Sequence, residues 1–347
     1  MSKNTESTPL EEVARRSRDE SGYRQHSAST PSAAPQAGPD PSGPDPGPAP
    51  FSPDPSGTAA FPAPPLESPT RRFLRLSVPP LALLGGLGAL EFIRRRFERG
   101  RVFLPTRYPD GSWDPTSEGL EHEDVFFESE DATRLHGWWL EHPEAETTLI
   151  YCHGNRGSIG DRIEIFRQLL RLKTHVFAFD YRGYGRSEGS PSEKGLYADV
   201  RAAIDLVVGR GHRLDSILLM GHSLGGAVAI DGAANRPVGG LVVQSSFTQL
   251  KDMARYRYPD WPLHWITSNN FRSIDKVPHL TMPKLFIHGT ADQVVPYSHG
   301  ETLFRAAAEP KSFLRVPHAD HHDVHLKGSL PYFHRLVRFR RDLESRR

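Results

Sequence analysis

From about residue 101 the apolar positions fall into short runs separated by stretches with helical spacing. The runs at 125–127 and 135–140 flank Glu130 and Asp131, which predicts an antiparallel hairpin. Further short apolar runs at 147–152, 176–179, 216–220, 241–244, 285–287 and 313–316 predict strands. Between and after them, 163–172, 196–208, 224–234, 298–308 and 331–343 repeat with a helical period. Strands that are apolar throughout and alternate with helices predict an α/β protein, its parallel sheet covered on both faces. Chemistry in such a sheet sits at the carboxyl ends of the strands.

The pattern does not extend to the N-terminus. Residues 1–70 hold 15 of the 31 prolines and no apolar periodicity, so they are expected to form a disordered tail. Residues 1–20 are polar and carry no signal-peptide pattern. Within 71–100, an apolar run at 76–93 is bracketed by Arg71, Arg72 and Arg75 before it and Arg94, Arg95 and Arg96 after it. It reads as a membrane anchor, spanning or interfacial, or as an amphipathic helix packed on the domain that follows. A spanning helix with this arginine bias would keep residues 101–347 cytoplasmic. The whole chain has 43 Lys+Arg against 42 Asp+Glu, a balance that excludes a strongly basic nucleic-acid binder. Cys152 is the single cysteine, so no disulfide can form within the chain.

Two G-x-S-x-G patterns occur, at 185–189 and 221–225. A nucleophile elbow needs a strand before the serine and a helix after it, with glycines where Cβ atoms would clash. Ser223 meets that condition, between the run at 216–220 and the helix expected at 224–234, with Gly221, His222, Gly225 and Gly226 around it. Ser187 follows a glycine-rich loop and is soon followed by Pro191, so it reads as a loop residue bonded to its own turn. A serine needs a base, and the base an orienting acid; after such an elbow the chain order is acid, then histidine. Asp292 lies just past the strand at 285–287, whereas Asp252, Asp260 and Asp275 lack a strand-end position. His318, His321, His322 and His325 compete for the base. His321 lies deepest in the loop after the last strand, with His322 as the alternative. The same cluster invites a metal reading, but tandem histidines converge poorly on one ion, and no metal or organic cofactor is expected. The oxyanion donors are expected to be the amide of Leu224, after the nucleophile, and that of Asn155, in the His153-Gly154-Asn155 loop. Cys152 reads as a small buried hydrophobe.

His153-Gly154-Asn155, the stretch Asp180 to Ser187, Gly221 to Gly226, and His288 to Asp292 resemble, in this order, the α/β-hydrolase superfamily over about residues 101–347. Gly226, the single-glycine oxyanion loop and Phe103-Leu104-Pro105-Thr106 are similar to its membrane-tethered, depalmitoylase-like branch. The resemblance implies a mostly parallel eight-stranded sheet with helices on both faces and a small cap, about 247–280, between strands 6 and 7. It also aligns His321 with the family histidine. The cysteine-rich N-terminus of the eukaryotic depalmitoylases is absent.

The expected activity is hydrolysis of a small-molecule carboxylic ester or thioester through an acyl-enzyme on Ser223. A peptidase or lipase of the same fold is the alternative enzyme, and a catalytically silent binding module the alternative of another class. Cap aromatics Phe247, Tyr256, Tyr258, Trp261, Trp265 and Phe271 are expected to line an acyl pocket or to pack the cap onto the sheet. Arg255, Arg257 and Arg272 are expected to meet an anionic moiety or to be solvated.

Overall fold

The computed structural model describes Arg96 and residues 100–260 and 268–347. The expected tail at 1–70, the apolar run at 76–93, Trp261 and Trp265 lie outside the described residues. Among the described residues no helix is long and apolar enough to cross a membrane.

The strands are β1 (Leu104–Pro105), β2 (Glu123–Glu128), β3 (Arg134–Leu140), β4 (Thr148–Cys152), β5 (Arg156–Gly157), β6 (His175–Asp180), β7 (Ile217–His222), β8 (Gly240–Gln244), β9 (Lys284–Gly289) and β10 (Lys311–Val316). The helices are α1 (Ile163–Leu170), α2 (Glu193–Gly209), α3 (Leu224–Asn235), α4 (Leu250–Arg257), α5 (Ser273–Lys276), α6 (Tyr297–Ala306) and α7 (Val324–Glu344). One eight-stranded sheet runs β10-β9-β8-β7-β4-β6-β3-β2. β3 pairs antiparallel with both its neighbours, and every other pairing in the sheet is parallel. The expected hairpin and the expected parallel sheet are therefore parts of one layer.

Strand alternation sends side chains into two cores. Ile150 and Cys152 of β4 join Ile217 and Leu219 of β7 in one, packed with Leu196, Val200 and Val228 from α2 and α3. Leu149 and Tyr151 join Leu218 and Met220 in the other, with Phe166 of α1 and Tyr332 and Leu336 of α7. Because both faces are covered, the inner strands read as continuous apolar runs. The last helix begins earlier than the spacing predicts. Its first turns start at Val324 and break at Ser329 (φ 42°, ψ −134°), two residues before Pro331, which has no N–H to continue the ladder.

The chain passes from β4 to β6 on one side, then returns to β7 on the other side of β4. This switch opens a crevice at the carboxyl ends of β4 and β7, and the loops leaving both strands meet there. The cap lies between β8 and β9, the sixth and seventh strands of the large sheet, and contributes α4 and α5.

The loop after β6 is anchored by Arg182. Its guanidinium donates to Asp199 Oδ1 (2.8 Å from Nη2), Asp131 Oδ2 (2.7 Å) and Ser129 Oγ (3.0 Å), and its backbone N–H donates to Asp199 Oδ2 (2.9 Å). Burial pushes the Asp199 carboxyl up, and the arginine opposes it. Arg182→Met would leave Asp199 charged and unpaired in the interior and should cost about 3–5 kcal/mol in urea unfolding. The double variant Arg182→Met/Asp199→Leu should recover a clear part of that loss. Equal losses in the two would sink the ion-pair account.

Candidate active site

Ser223 occupies the turn between β7 and α3 with φ 56° and ψ −119°. Such a backbone costs a non-glycine residue about 1–3 kcal/mol and persists only where its surroundings enforce it. Here the Ser223 N–H donates to the Gln244 carbonyl (2.9 Å), and its own carbonyl accepts from Gly226 N–H (3.0 Å) and the Ser246 hydroxyl (2.9 Å). The two arms of the turn also touch. A Cβ on Gly221 would lie 2.1 Å from the Gly225 carbonyl oxygen, and one on Gly225 would lie 2.0 Å from that of Cys152. Gly226 meets Ser246 in the same way, so the expected elbow glycines are required by close approach.

Asp292 follows β9. Its Oδ1 accepts from the amides of Val294 (2.9 Å) and Val295 (2.8 Å), and its Oδ2 accepts from His321 Nδ1 (2.8 Å). His288 Nε2 lies 3.3 Å from the same Oδ2 while donating to the Val295 carbonyl at 2.9 Å. Burial alone would raise the Asp292 carboxyl, but donation by His288, His321 and Val295 holds it well below the usual carboxylate range. An ionised Asp292 keeps the proton on His321 Nδ1 and leaves Nε2 as the basic nitrogen. His321 and Ser223 line one cavity. His222 donates from Nε2 to the His321 carbonyl (3.0 Å), which fixes that loop against the elbow.

His322 and His325 also line the cavity, but among the described residues only His321 bonds to Asp292. His322 is exposed, with its ring 4.9 Å from that of His321. His318 sits in a left-handed turn bonded through its N–H to Thr290 Oγ1, and His325 lies in the first turn of α7. Asp252 accepts from Thr248 and Gln249, and Asp275 pairs with Arg272. Ser187 donates to the Asp180 carbonyl (2.7 Å) and accepts from His136 N–H (2.9 Å), as a loop residue should. Cys152 is fully buried. Among the described residues no group of three or more His, Cys, Asp or Glu side chains could hold a metal ion.

The loop after β4 runs against the elbow: a Cβ on Gly154 would be 3.7 Å from Ser223 Cβ. The Asn155 carbonyl is held by Leu104 N–H (2.9 Å) and the Tyr184 hydroxyl (2.8 Å), and its side-chain amide donates to the Val102 carbonyl (3.1 Å). β1 and β5 pair in parallel across this loop. The Phe103-Leu104-Pro105-Thr106 segment thus braces the loop that carries one expected oxyanion amide. Leu224 N–H, the other, is the first amide of α3.

Beneath the loop lies a buried pair that sequence reasoning missed. His153 Nδ1 is 2.7 Å from the Gly154 carbonyl, which can only accept, so Nδ1 carries the proton. Nε2 is then a lone pair, 3.4 Å from Asp180 Oδ1. His153 Nε2 and Asp180 Oδ2 are both buried without a hydrogen-bond partner. Burial pushes the Asp180 carboxyl up to about 8 and His153 down to about 3. At pH 7 both are neutral, and the single acid proton can satisfy the imidazole lone pair. The clamp on the Gly154 carbonyl fixes the peptide plane whose other end is the Asn155 N–H.

The cavity beside Ser223 measures about 1010 Å³. Of the cap aromatics, Tyr258 lines it, whereas Phe247 and Phe271 are buried in the core and Tyr256 faces solvent. Leu250, Met253 and Ala254 supply the apolar cap wall instead. Arg257 lines the cavity, while Arg255 pairs with Asp252 and Arg272 with Asp275.

Residues 143–274 match a family model described as serine aminopeptidase, S33. The chain is 36% identical over 259 residues to an uncharacterized protein of Mycobacterium tuberculosis, covering 74% of this chain and 91% of that protein. It is 36% identical over 199 residues to human alpha/beta hydrolase domain-containing protein 17B, covering 57% of this chain and 67% of that one. Among solved structures, the esterase Pf2001 of Pyrococcus furiosus superposes with a TM-score of 0.59 at 21% identity, over 70% of this chain and 98% of that chain.

The neutral Asp180 has a distinctive consequence. The oxygen that faces His153 Nε2 also accepts from Ile159 N–H, so Asp180→Asn keeps only one of these two functions and should lose part of the activity, whereas Asp180→Leu keeps neither and should lower kcat further with little change in KM. The folded carboxyl titrates at about 8 and the unfolded one at about 4, so between them the native state binds one proton more. Wild-type stability is therefore lost as pH rises through that window. Urea midpoints at pH 5 and pH 8 should show the Asn variant gaining on wild type at the higher pH, and a gap that stays constant would contradict a neutral Asp180.

Proposed function

The chain belongs to the α/β-hydrolase family, and from that premise we propose that it is a serine hydrolase cleaving a carboxylic ester or thioester through an acyl-enzyme on Ser223. The observation that carries the reading is the Asp292–His321 hydrogen bond at the wall of the cavity that Ser223 also lines. His321 Nε2 takes the Ser223 hydroxyl proton as Oγ attacks the acyl carbonyl carbon. The carbonyl π electrons move onto oxygen, and the amides of Asn155 and Leu224 receive the charge, each such donor contributing about 3–4 kcal/mol of barrier lowering. The first turn of α3 adds its positive dipole end. Collapse expels the alkoxide or thiolate, which leaves with the proton from His321. Water then attacks the acyl-enzyme with His321 as base, releasing the acid and restoring Ser223. Asp292 stays ionised throughout and stabilises the imidazolium.

An aminopeptidase needs a carboxylate for the free amine of its substrate. The carboxylates lining the cavity are otherwise engaged: Asp161 Oδ2 accepts from Ser158 N–H (2.8 Å), and Glu164 pairs with Arg167 and Gln168. That favours the ester or thioester.

The full chain should react with a fluorophosphonate probe, with the adduct mapped to Ser223 by mass spectrometry. Ser223→Ala should abolish labelling. Asp292→Asn should lower esterase kcat by roughly 10⁴, and His321→Ala by at least as much. Folded wild-type protein that takes no label would refute the mechanism and favour a silent binding module.

A further inference from the structure

We propose that the cavity beside Ser223 contains an anion subsite built on Arg162 and Arg156, and that the ester or thioester cleaved there carries a phosphate group. The proposal rests on the reading of Ser223 as nucleophile and adds the class of its substrate.

Arginines elsewhere in the fold commonly have carboxylate partners: Arg201 holds Glu130, Arg210 holds Glu123 and Arg236 holds Asp205. Arg162 and Arg156 at this cavity differ. The Arg162 guanidinium donates to two backbone carbonyls, Arg156 (2.7 Å from Nη2) and Asp161 (3.3 Å from Nη1). These neutral acceptors fix the head in place without an ion-pair partner. Arg156 is exposed on the loop directly after Asn155 and lines the same cavity. Neither arginine has an ion-pair partner among the described residues. Of the acidic groups that line the cavity, Asp161 accepts from the Ser158 amide and Glu164 pairs with Arg167, and neither forms an ion pair with Arg156 or Arg162.

Arg162 lines the cavity that Ser223 and His321 also line. Burial is the main reason that the His222 imidazole stays well below its ordinary range, and the Arg162 charge contributes to it. A guanidinium offers several N–H donors to an oxyanion, and two arginines lining one cavity suit a phosphate, with its three oxygens and higher charge, better than a lone carboxylate. Leu250 and Met253 of the cap give the same cavity an apolar wall for an acyl chain. A phosphate-bearing leaving group with an acyl tail matches both kinds of surface.

The test uses the full chain at constant ionic strength, so that general screening is held fixed. Inorganic pyrophosphate should slow fluorophosphonate labelling of Ser223 about ten-fold when present at about nine times its Kd, as competition for one cavity requires. Protection should be lost in Arg162→Gln, and in Arg156→Gln, whose exposed side chain can change without disturbing the fold. It should persist in Arg305→Gln, an exposed arginine on α6 that pairs with Glu301. No protection, or equal protection in both cavity variants, overturns the subsite and leaves the nucleophile assignment standing. Absence of any labelling overturns the nucleophile assignment itself and the subsite with it. Two substrate pairs then separate the sources of phosphate: butyryl-coenzyme A against S-butyryl-N-acetylcysteamine, and 1-butyryl-glycerol 3-phosphate against 1-butyrylglycerol. A lower KM for the phosphate-bearing member of either pair, lost in Arg162→Gln, is the expected result. A higher kcat/KM for the phosphate-free member of both pairs overturns the proposal.

Discussion

The strained turn at Ser223 is the constraint around which the site is assembled. A serine at positive φ is held there by three backbone-directed hydrogen bonds and by glycines that let β7, α3 and the end of β4 come within contact. That contact has two effects. It places the serine at the crevice where the sheet order reverses, and it brings the 153–155 loop against the serine Cβ. The strain is affordable because the surrounding residues are already paid into the sheet: Cys152, Met220 and Val243 are buried and paired across adjacent strands.

Two buried carboxyl side chains near this crevice carry opposite protonation, and the number of donors around each explains it. The Asp180 and Asp292 side chains are both removed from solvent. Asp292 accepts from two backbone amides and from His321, with His288 alongside, so ionisation is stabilised. Asp180 accepts one amide, that of Ile159, and faces an imidazole that is itself neutral. Burial without donors raises a carboxyl, and burial with donors lowers it. One acid is thereby suited to support a cation on His321, while the other is suited to bracing a loop as a neutral donor.

The sheet, the hairpin, the elbow and the acid-histidine pair were legible because each has a local signature. Strand and helix periods are written in consecutive residues, and an elbow is a strand, a serine and a helix in series. The discrimination between Ser223 and Ser187 followed from that context alone. The brace formed by β1 and β5 was not legible as structure, since two-residue strands have no period to read. Nor was the pairing of His153 with Asp180, which lie 27 positions apart and meet only because β4 and β6 are neighbours. The cap aromatics were legible only as alternatives. Phe247 and Phe271 turn inward and Tyr258 toward the cavity, a difference set by the fold of the segment and not by residue type.

On the proposed reading, recognition and chemistry share one short stretch of chain. Asn155 offers the expected oxyanion amide, Arg156 follows it directly, and the Arg156 carbonyl is gripped by Arg162. The same stretch is tied to Leu104 and Tyr184 on one side and, through Gly154, to His153 on the other. An anion docked on Arg156 and Arg162 would therefore act on the loop that stabilises the transition state. Binding energy from a part of the substrate that does not react accelerates turnover only when it is realised at the reacting centre. A loop held by this many separate hydrogen bonds, on a segment with almost no secondary structure of its own, is stiff enough to be a direct physical route for that transfer.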